Sequence, residues 1–435
     1  MRFIKEVKKH PLFWLIISGL LLRLTLLFID YSWDVNNHIA WAKDLHNRGF
    51  QGFYETQSSE VYATLYPNYP PLSLFIFYLV YPLQSFIYSI AWWLNLAIPL
   101  FPSKLIFFIK DRAFLAGLMK LPAIFTDLAI AWLSYLIAKK ILLKNKRVQM
   151  LIPSLILFNP AFFFNSGLWG QIDSIPIFFA LGSFYLLLFT RRFIASGIFM
   201  TFALLVKPTA LIYLPIYIAL LFMKFGLKNF LKTFIAVNLI FWFAFLPFYK
   251  SGNNLLSFPY NIYLEKILST QSLPYVTNGA FNFWVLVTWF NGIKDTSTFI
   301  LGLSYRVWGY LIVGIFTLFI LICSKQRSRL SRDDVFYSIF LLAFAAFLFL
   351  TKMHERYSLL PLAFLLIAAI KKQKLLKWFS ILSLVSFLNH YHSWPVPKIE
   401  ILVKVIFNPL VVVILSLLNV ILFLYLLSKH MSFRT

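Results

Sequence analysis

Long apolar stretches alternate along this chain with short polar and basic breaks, and the stretches are the right length for helices that cross a bilayer. The pattern predicts spans near 12–29, 113–138, 149–166, 174–190, 193–206, 209–223, 231–249, 306–323, 335–351, 357–370, 375–390 and 405–428. Spans 193–206 and 209–223 are short and meet at Lys207-Pro208, which reads as a tilted or broken pair. Residues 72–101 are apolar but punctuated by Pro82 and Pro99. They either cross an even number of times or lie in the interface. No internal repeat or heptad run is present, so one membrane-embedded domain over 1–435 is expected, all-α and polytopic, with roughly 11–13 helices across the membrane.

Charge orients this pattern. Basic residues cluster at Arg2–Lys9, Lys139–Arg147, Arg191–Arg192, Lys224–Lys232, Lys325–Arg332, Lys371–Lys377 and Lys429–Arg434, and these clusters fall on one side of the alternating spans. An excess of Lys and Arg marks cytoplasmic loops, which puts the N-terminus on the cytoplasmic side of a cell membrane. The first apolar run follows four basic residues but lacks a small-residue cleavage site and contains Arg23, so it reads as a retained helix. The opposite side then carries a first outer loop over 30–112, with interfacial or re-entrant helices, and a second outer loop over 250–305.

Composition narrows the class further. Charged residues are 13% of the 435, against about 25% in a soluble protein. Soluble, disordered and nucleic-acid-binding proteins are disfavoured, and the net charge of +25 becomes a statement about orientation. Cys323 is the one cysteine, which excludes an internal disulfide.

The scarce polar groups concentrate on the outer side. In the first loop, Asp34, His38 and Trp41 are spaced i, i+4 and i+7 and would share a helical face. A carboxylate at the membrane surface is placed to take a proton from a hydroxyl, although a solvated amphipathic helix has the same spacing. Tyr69-Pro70-Pro71 follows as an extended stop. Trp169, Gln171 and Asp173 interrupt two spans, and polar groups at such depth are usually paired or functional. Lys207 lies in an apolar stretch, and His354, Glu355, Arg356 and Tyr357 end a helix. Arg356, His354 and Lys207 would suit an anionic phosphate; snorkelling bases are the plainer account. Aromatics of the second loop, Tyr260, Tyr263, Tyr275, Trp284 and Trp289, read as interfacial belt residues before they read as a cover for an acceptor. No HExxH, GxSxG or P-loop pattern occurs.

The order and spacing of these pieces resemble the GT-C membrane glycosyltransferases. The likeness is nearest to bacterial relatives of the glycosylphosphatidylinositol mannosyltransferases, over about residues 10 to 370. The resemblance implies transfer of a hexose, mannose or glucose, from a polyprenyl-phosphate sugar to an acceptor hydroxyl on the extracytoplasmic side, with inversion. The acceptor is a lipid, glycan or protein. It implies Asp34 as general base, with Asp30 a weaker candidate. His354, Arg356 and Lys207 would hold the donor phosphate. His38, Trp41, Tyr69, Trp169, Gln171, Asp173, Glu355 and Tyr357 would contact sugar or acceptor. Many GT-C enzymes carry two adjacent acids in the first loop, whereas Asp30 and Asp34 are four apart, so no metal and no other cofactor is expected. Membrane lipids are the other expected partners, and nucleic acid is not one. The competing reading is a secondary transporter or lipid flippase, whose polar site would lie nearer the bilayer midplane.

Overall fold

The computed structural model describes residues 11–270, 273–325 and 331–432. The basic cluster Arg2–Lys9 lies outside the described residues, as do Arg327, Arg329 and Arg434. Helices dominate. Among the described residues they begin with α1 (Pro11–Leu26), followed by α2 (Trp33–Arg48), α3 (Pro71–Val80), α4 (Leu83–Ala97), α5 (Ser103–Lys110), α6 (Arg112–Ile141) and α7 (Lys146–Leu157). Next come α8 (Ser174–Tyr185), α9 (Phe193–Val206) and α10 (Leu214–Phe245). The chain continues through α11 (Tyr305–Lys325), α12 (Arg332–Phe349), α13 (Leu362–Ala369), α14 (Leu376–Ser393) and α15 (Pro409–Ser432).

Among the described residues, six helical stretches are long and apolar enough to cross a membrane: Pro71–Ala97, Arg112–Ile141, Lys146–Trp169, Pro208–Phe248, Tyr305–Ser324 and Pro409–His430. Pro11–Leu26, Ser174–Thr190 and Phe193–Val206 are shorter apolar helices. The bundle is organised around α12. This helix is apolar on every face after its first turn and is buried along nearly its whole length, as a helix without a polar stripe must be. It packs with α13 in the largest apolar cluster, which also takes in α8 and parts of α6, α7, α9 and α10.

Three breaks follow directly from sequence. At Lys207-Pro208 the helix ends because the residue before proline is driven out of the α region, and Lys207 is extended at φ −155°, ψ 134°. Gly226 interrupts α10 with φ 72°, ψ 174°, within the basic cluster Lys224–Lys232. Pro82 separates α3 from α4.

A two-residue parallel pairing ties the 250–305 loop to the rest. Strand β1 (Thr277–Asn278) pairs with β2 (Met353–His354), Thr277 opposite Met353 and Asn278 opposite His354. The loop is thereby docked on the segment that carries His354, Glu355 and Arg356.

Candidate functional site

Asp34 lies in the first turn of α2, whose N-terminal Ser32 accepts a hydrogen bond from the Val35 amide. An acid in that position is favoured by the exposed amides of the helix end. Its Oδ2 accepts a 2.7 Å hydrogen bond from Gln171 Nε2 and lies 3.7 Å from Arg356 Nη1. Burial pushes the Asp34 carboxyl up, but Arg356 and the Gln171 hydrogen bond together outweigh it and hold the group well below the usual carboxylate range. Asp34 is therefore an oriented, ionised carboxylate at neutral pH.

Gln171 reaches Asp34 because the loop before α8 is fixed from several sides. The chain widens into a π-helical turn over Phe164–Trp169 and leaves it at Gly170, φ 80°. A Cβ at Gly170 would lie 2.4 Å from Val35 Cγ2, so only glycine lets this loop approach α2. Beneath it, Asp127 accepts from Ser166 Oγ at 2.6 Å and from Ser174 Oγ, gripping the loop at both ends. Asp127 is itself held by Arg23 Nε at 2.9 Å, and Arg23 Nη1 donates to the carbonyls of Gly19 and Leu157. Arg23, Asp127, Ser166 and Ser174 are all fully buried. Buried charge is tolerated here because each carboxylate oxygen has a donor. Neither this clamp nor its four-way geometry was legible in the sequence, where Arg23 stood out only as a charge inside the first apolar run.

The opposite wall is the His354–Arg356 segment. Arg356 Nη1 lies 3.1 Å from Glu355 Oε1, and His354 Nδ1 is 3.6 Å from Glu355 Oε2. Burial pushes Glu355 up, and His354 and Arg356 override it, bringing the carboxyl down to about 2. Burial also lowers His354. The imidazole is then neutral at pH 7, a hydrogen-bonding group rather than a second cation.

These walls enclose a cavity of about 500 Å³ that Asp34, His354, Glu355, Arg356, Trp41, Tyr69 and Trp169 all line. Among the described residues, Arg356 is the one Lys or Arg on that lining. The structure places four expected site residues behind the wall. Gln171 and Asp173 are fully buried; Gln171 acts through Asp34, and Asp173 accepts from Lys207 Nζ at 2.6 Å. Lys207 is equally buried, with Tyr69 and Tyr357 rings within 6 Å, and its charge is already matched. Breaking such a pair by removing one partner typically costs about 3–5 kcal/mol. His38 is turned into the aromatic core, stacked on Phe77 at 4.1 Å with Tyr69 edge-on. Helical spacing put it on the face of Asp34 correctly, but α3 covers that face one turn further on. Tyr357 lines a neighbouring apolar cavity instead. From the 250–305 loop, Thr270, Leu273 and Pro274 reach the lining, and none of Tyr260, Tyr263, Tyr275, Trp284 and Trp289 does.

His38 makes an acid-stability prediction. Burial lowers its imidazole to about 3 from 6.5, against a weaker opposing pull from Asp34. Between those values the unfolded chain takes a proton that the folded chain does not, so stability is whole above pH 6.5 and is lost as pH falls toward 3. The melting temperature of purified His38→Leu is expected to fall less between pH 6.5 and pH 4 than that of the wild type. Parallel losses in the two proteins would remove His38 as the cause.

Among the described residues, no group of three or more His, Cys, Asp or Glu side chains is placed to hold a metal ion. No family model matches the chain, and no curated protein matches it. The resemblance to GT-C enzymes accordingly rests on the order of motifs alone.

Proposed function

We propose that this chain is a multi-pass membrane glycosyltransferase that moves a hexose from a polyprenyl-phosphate sugar to an acceptor hydroxyl, with Asp34 as general base. In this reading the N-terminus is cytoplasmic and the cavity opens on the extracytoplasmic side of the cell membrane. One observation carries it: the cavity holding the oriented Asp34 carboxylate adjoins an apolar cavity of about 400 Å³ across the same short turn. Met353 and Tyr357 line the apolar side, with Pro208, Leu211, Val313 and Leu342; His354, Glu355 and Arg356 line the polar side. A ligand with a long apolar tail and a sugar-phosphate head would fit such a pair of chambers, its head at Arg356 and its tail between α10, α11 and α12.

The chemistry then runs as a single displacement. The acceptor oxygen attacks the anomeric carbon from the face opposite the phosphate and loses its proton to Asp34. The bond from that carbon to the phosphate oxygen breaks, and the polyprenyl phosphate leaves with the electron pair toward Arg356. A carboxylate held as low as Asp34 is a weak base until the donor phosphate engages its partner Arg356. A donor phosphate that engages Arg356 weakens that hold and raises the basicity of Asp34 when it is needed.

The buried pairs Arg23–Asp127 and Lys207–Asp173 are the feature a transporter reading would use, but all four side chains are fully buried, each cation matched by its carboxylate. The test is transfer of radiolabelled mannose or glucose from the corresponding polyprenyl phosphate into membrane acceptors by the purified full-length chain. Labelled product supports the enzyme. Movement of the donor between leaflets without product would support the flippase.

A further inference from the structure

We infer that Trp33 and Tyr62, stacked at the rim of the cavity, form a subsite for a pyranose ring, so that the hydroxyl presented to Asp34 belongs to a sugar residue of the acceptor. The role in catalysis rests on the glycosyl-transfer reading; the binding of a sugar ring does not.

The two rings lie 4.7 Å apart at 20° to one another, and both line the cavity with Asp34. Each remains more than half exposed, Trp33 at 57% and Tyr62 at 54%. Their position is built rather than incidental. Asn37 takes both backbone polar groups of Tyr62, accepting from its amide at 2.7 Å and donating to its carbonyl at 2.9 Å. Asn36 Nδ2 donates to the Glu60 carbonyl at 2.8 Å, and Lys43 pairs with the Glu60 carboxylate at 2.6 Å. Glu60 and Ala63, on either side of the tyrosine, have φ of 62° and 56°, a left-handed conformation that non-glycine residues rarely adopt. Such strain persists where the surroundings hold it, and it collects at ligand clamps.

The rest of that chamber selects among ligands. Ser32 and Ser393 bring hydroxyls to the lining, while Glu355 offers a carboxylate. Neutral donors and an acceptor beside aromatic faces match a ring with hydroxyls at its edge and polarised C–H groups on its face, because the face of an aromatic ring is its negative region. Among the described residues Arg356 is the one Lys or Arg on the lining, so a second anion finds no cationic partner there at the Trp33 end. Asn37, Thr64 and Asn68 line it too, which disfavours a bare alkyl chain.

The test is saturation-transfer NMR on the full-length protein in lipid nanodiscs. The probes are methyl α-D-mannopyranoside and methyl α-D-glucopyranoside, against the acyclic polyol sorbitol and a short serine- and threonine-containing peptide. At millimolar concentration at least one glycoside is expected to give ring C–H signals, reduced about fivefold or more in Trp33→Leu and in Tyr62→Leu. Trp93→Leu, an exposed tryptophan off the cavity, should leave them unchanged. No glycoside signal, equal signals from sorbitol or the peptide, or signals indifferent to both rim substitutions would overturn the subsite. Glycoside binding that depends on Trp33, in a protein that transfers no sugar from polyprenyl phosphate, would sink the transfer reading and leave the subsite standing.

Discussion

Asp34→Asn is expected to lower sugar transfer by about 10²–10⁴-fold, the range a positioned general base contributes, while leaving the protein folded and its donor binding intact. Asparagine has the shape of aspartate and its amide oxygen can still accept from Gln171, which donates to Asp34 at 2.7 Å. Arg356 keeps Glu355 at 3.1 Å, so the substitution strands no buried cation. What it removes is the negative charge that takes the proton. Removing that charge from beside the donor phosphate should, if anything, tighten donor binding, so the loss belongs in kcat rather than KM. Transfer within about threefold of the wild type, in a variant with an unchanged melting temperature, would exclude Asp34 as the base.

Arg356 carries the second large effect, and here stability and activity must be separated. Its side chain is 8% exposed, and its guanidinium is the shared partner of Asp34 and Glu355. Arg356→Ala leaves two carboxylates facing each other with no cation on the cavity wall, and loss of one member of a buried pair typically costs about 3–5 kcal/mol. A lower melting temperature is therefore expected whatever the protein does. Arg356→Lys separates the two effects, because it retains the charge and removes only the planar fork. It should melt close to the wild type yet lose about 10²–10³-fold in transfer, as expected when a donor aimed at developing charge is displaced, with weaker dependence on donor concentration. Arg356→Lys with normal turnover and an unchanged KM for the polyprenyl-phosphate sugar would place the phosphate elsewhere.

Much of the cavity wall was legible before any coordinates. Asp34, Trp41, Tyr69, Trp169, His354, Glu355 and Arg356 stand out as polar or aromatic residues at the ends of apolar runs, and all of them line one cavity. The reason is general: in a chain this apolar, a charged group at a helix end is rare enough to carry information. Lys207 shows where that reasoning stops. Its chemistry suits a phosphate, but whether it faces a ligand depends on whether another element brings it a carboxylate, and α8 brings Asp173. His38 fails for a related reason. A helical period states which side chains share a face, not where a neighbouring helix covers it.

The sequence by itself determined a mostly helical, strongly apolar chain, its breaks at Lys207-Pro208 and in the Lys224–Lys232 cluster, and the small set of residues from which a reactive site can be built. These are local consequences of hydrophobic length, proline geometry and the scarcity of charge. Only the tertiary structure decided which of those residues meet. It set Gln171 on Asp34, matched Lys207 with Asp173, fastened the loop between them to Asp127 and Arg23, and aligned Trp33 with Tyr62 at the rim. Those pairings join segments far apart in the chain, and they follow from which helix faces pack together, a property of the whole bundle that no single stretch of residues encodes.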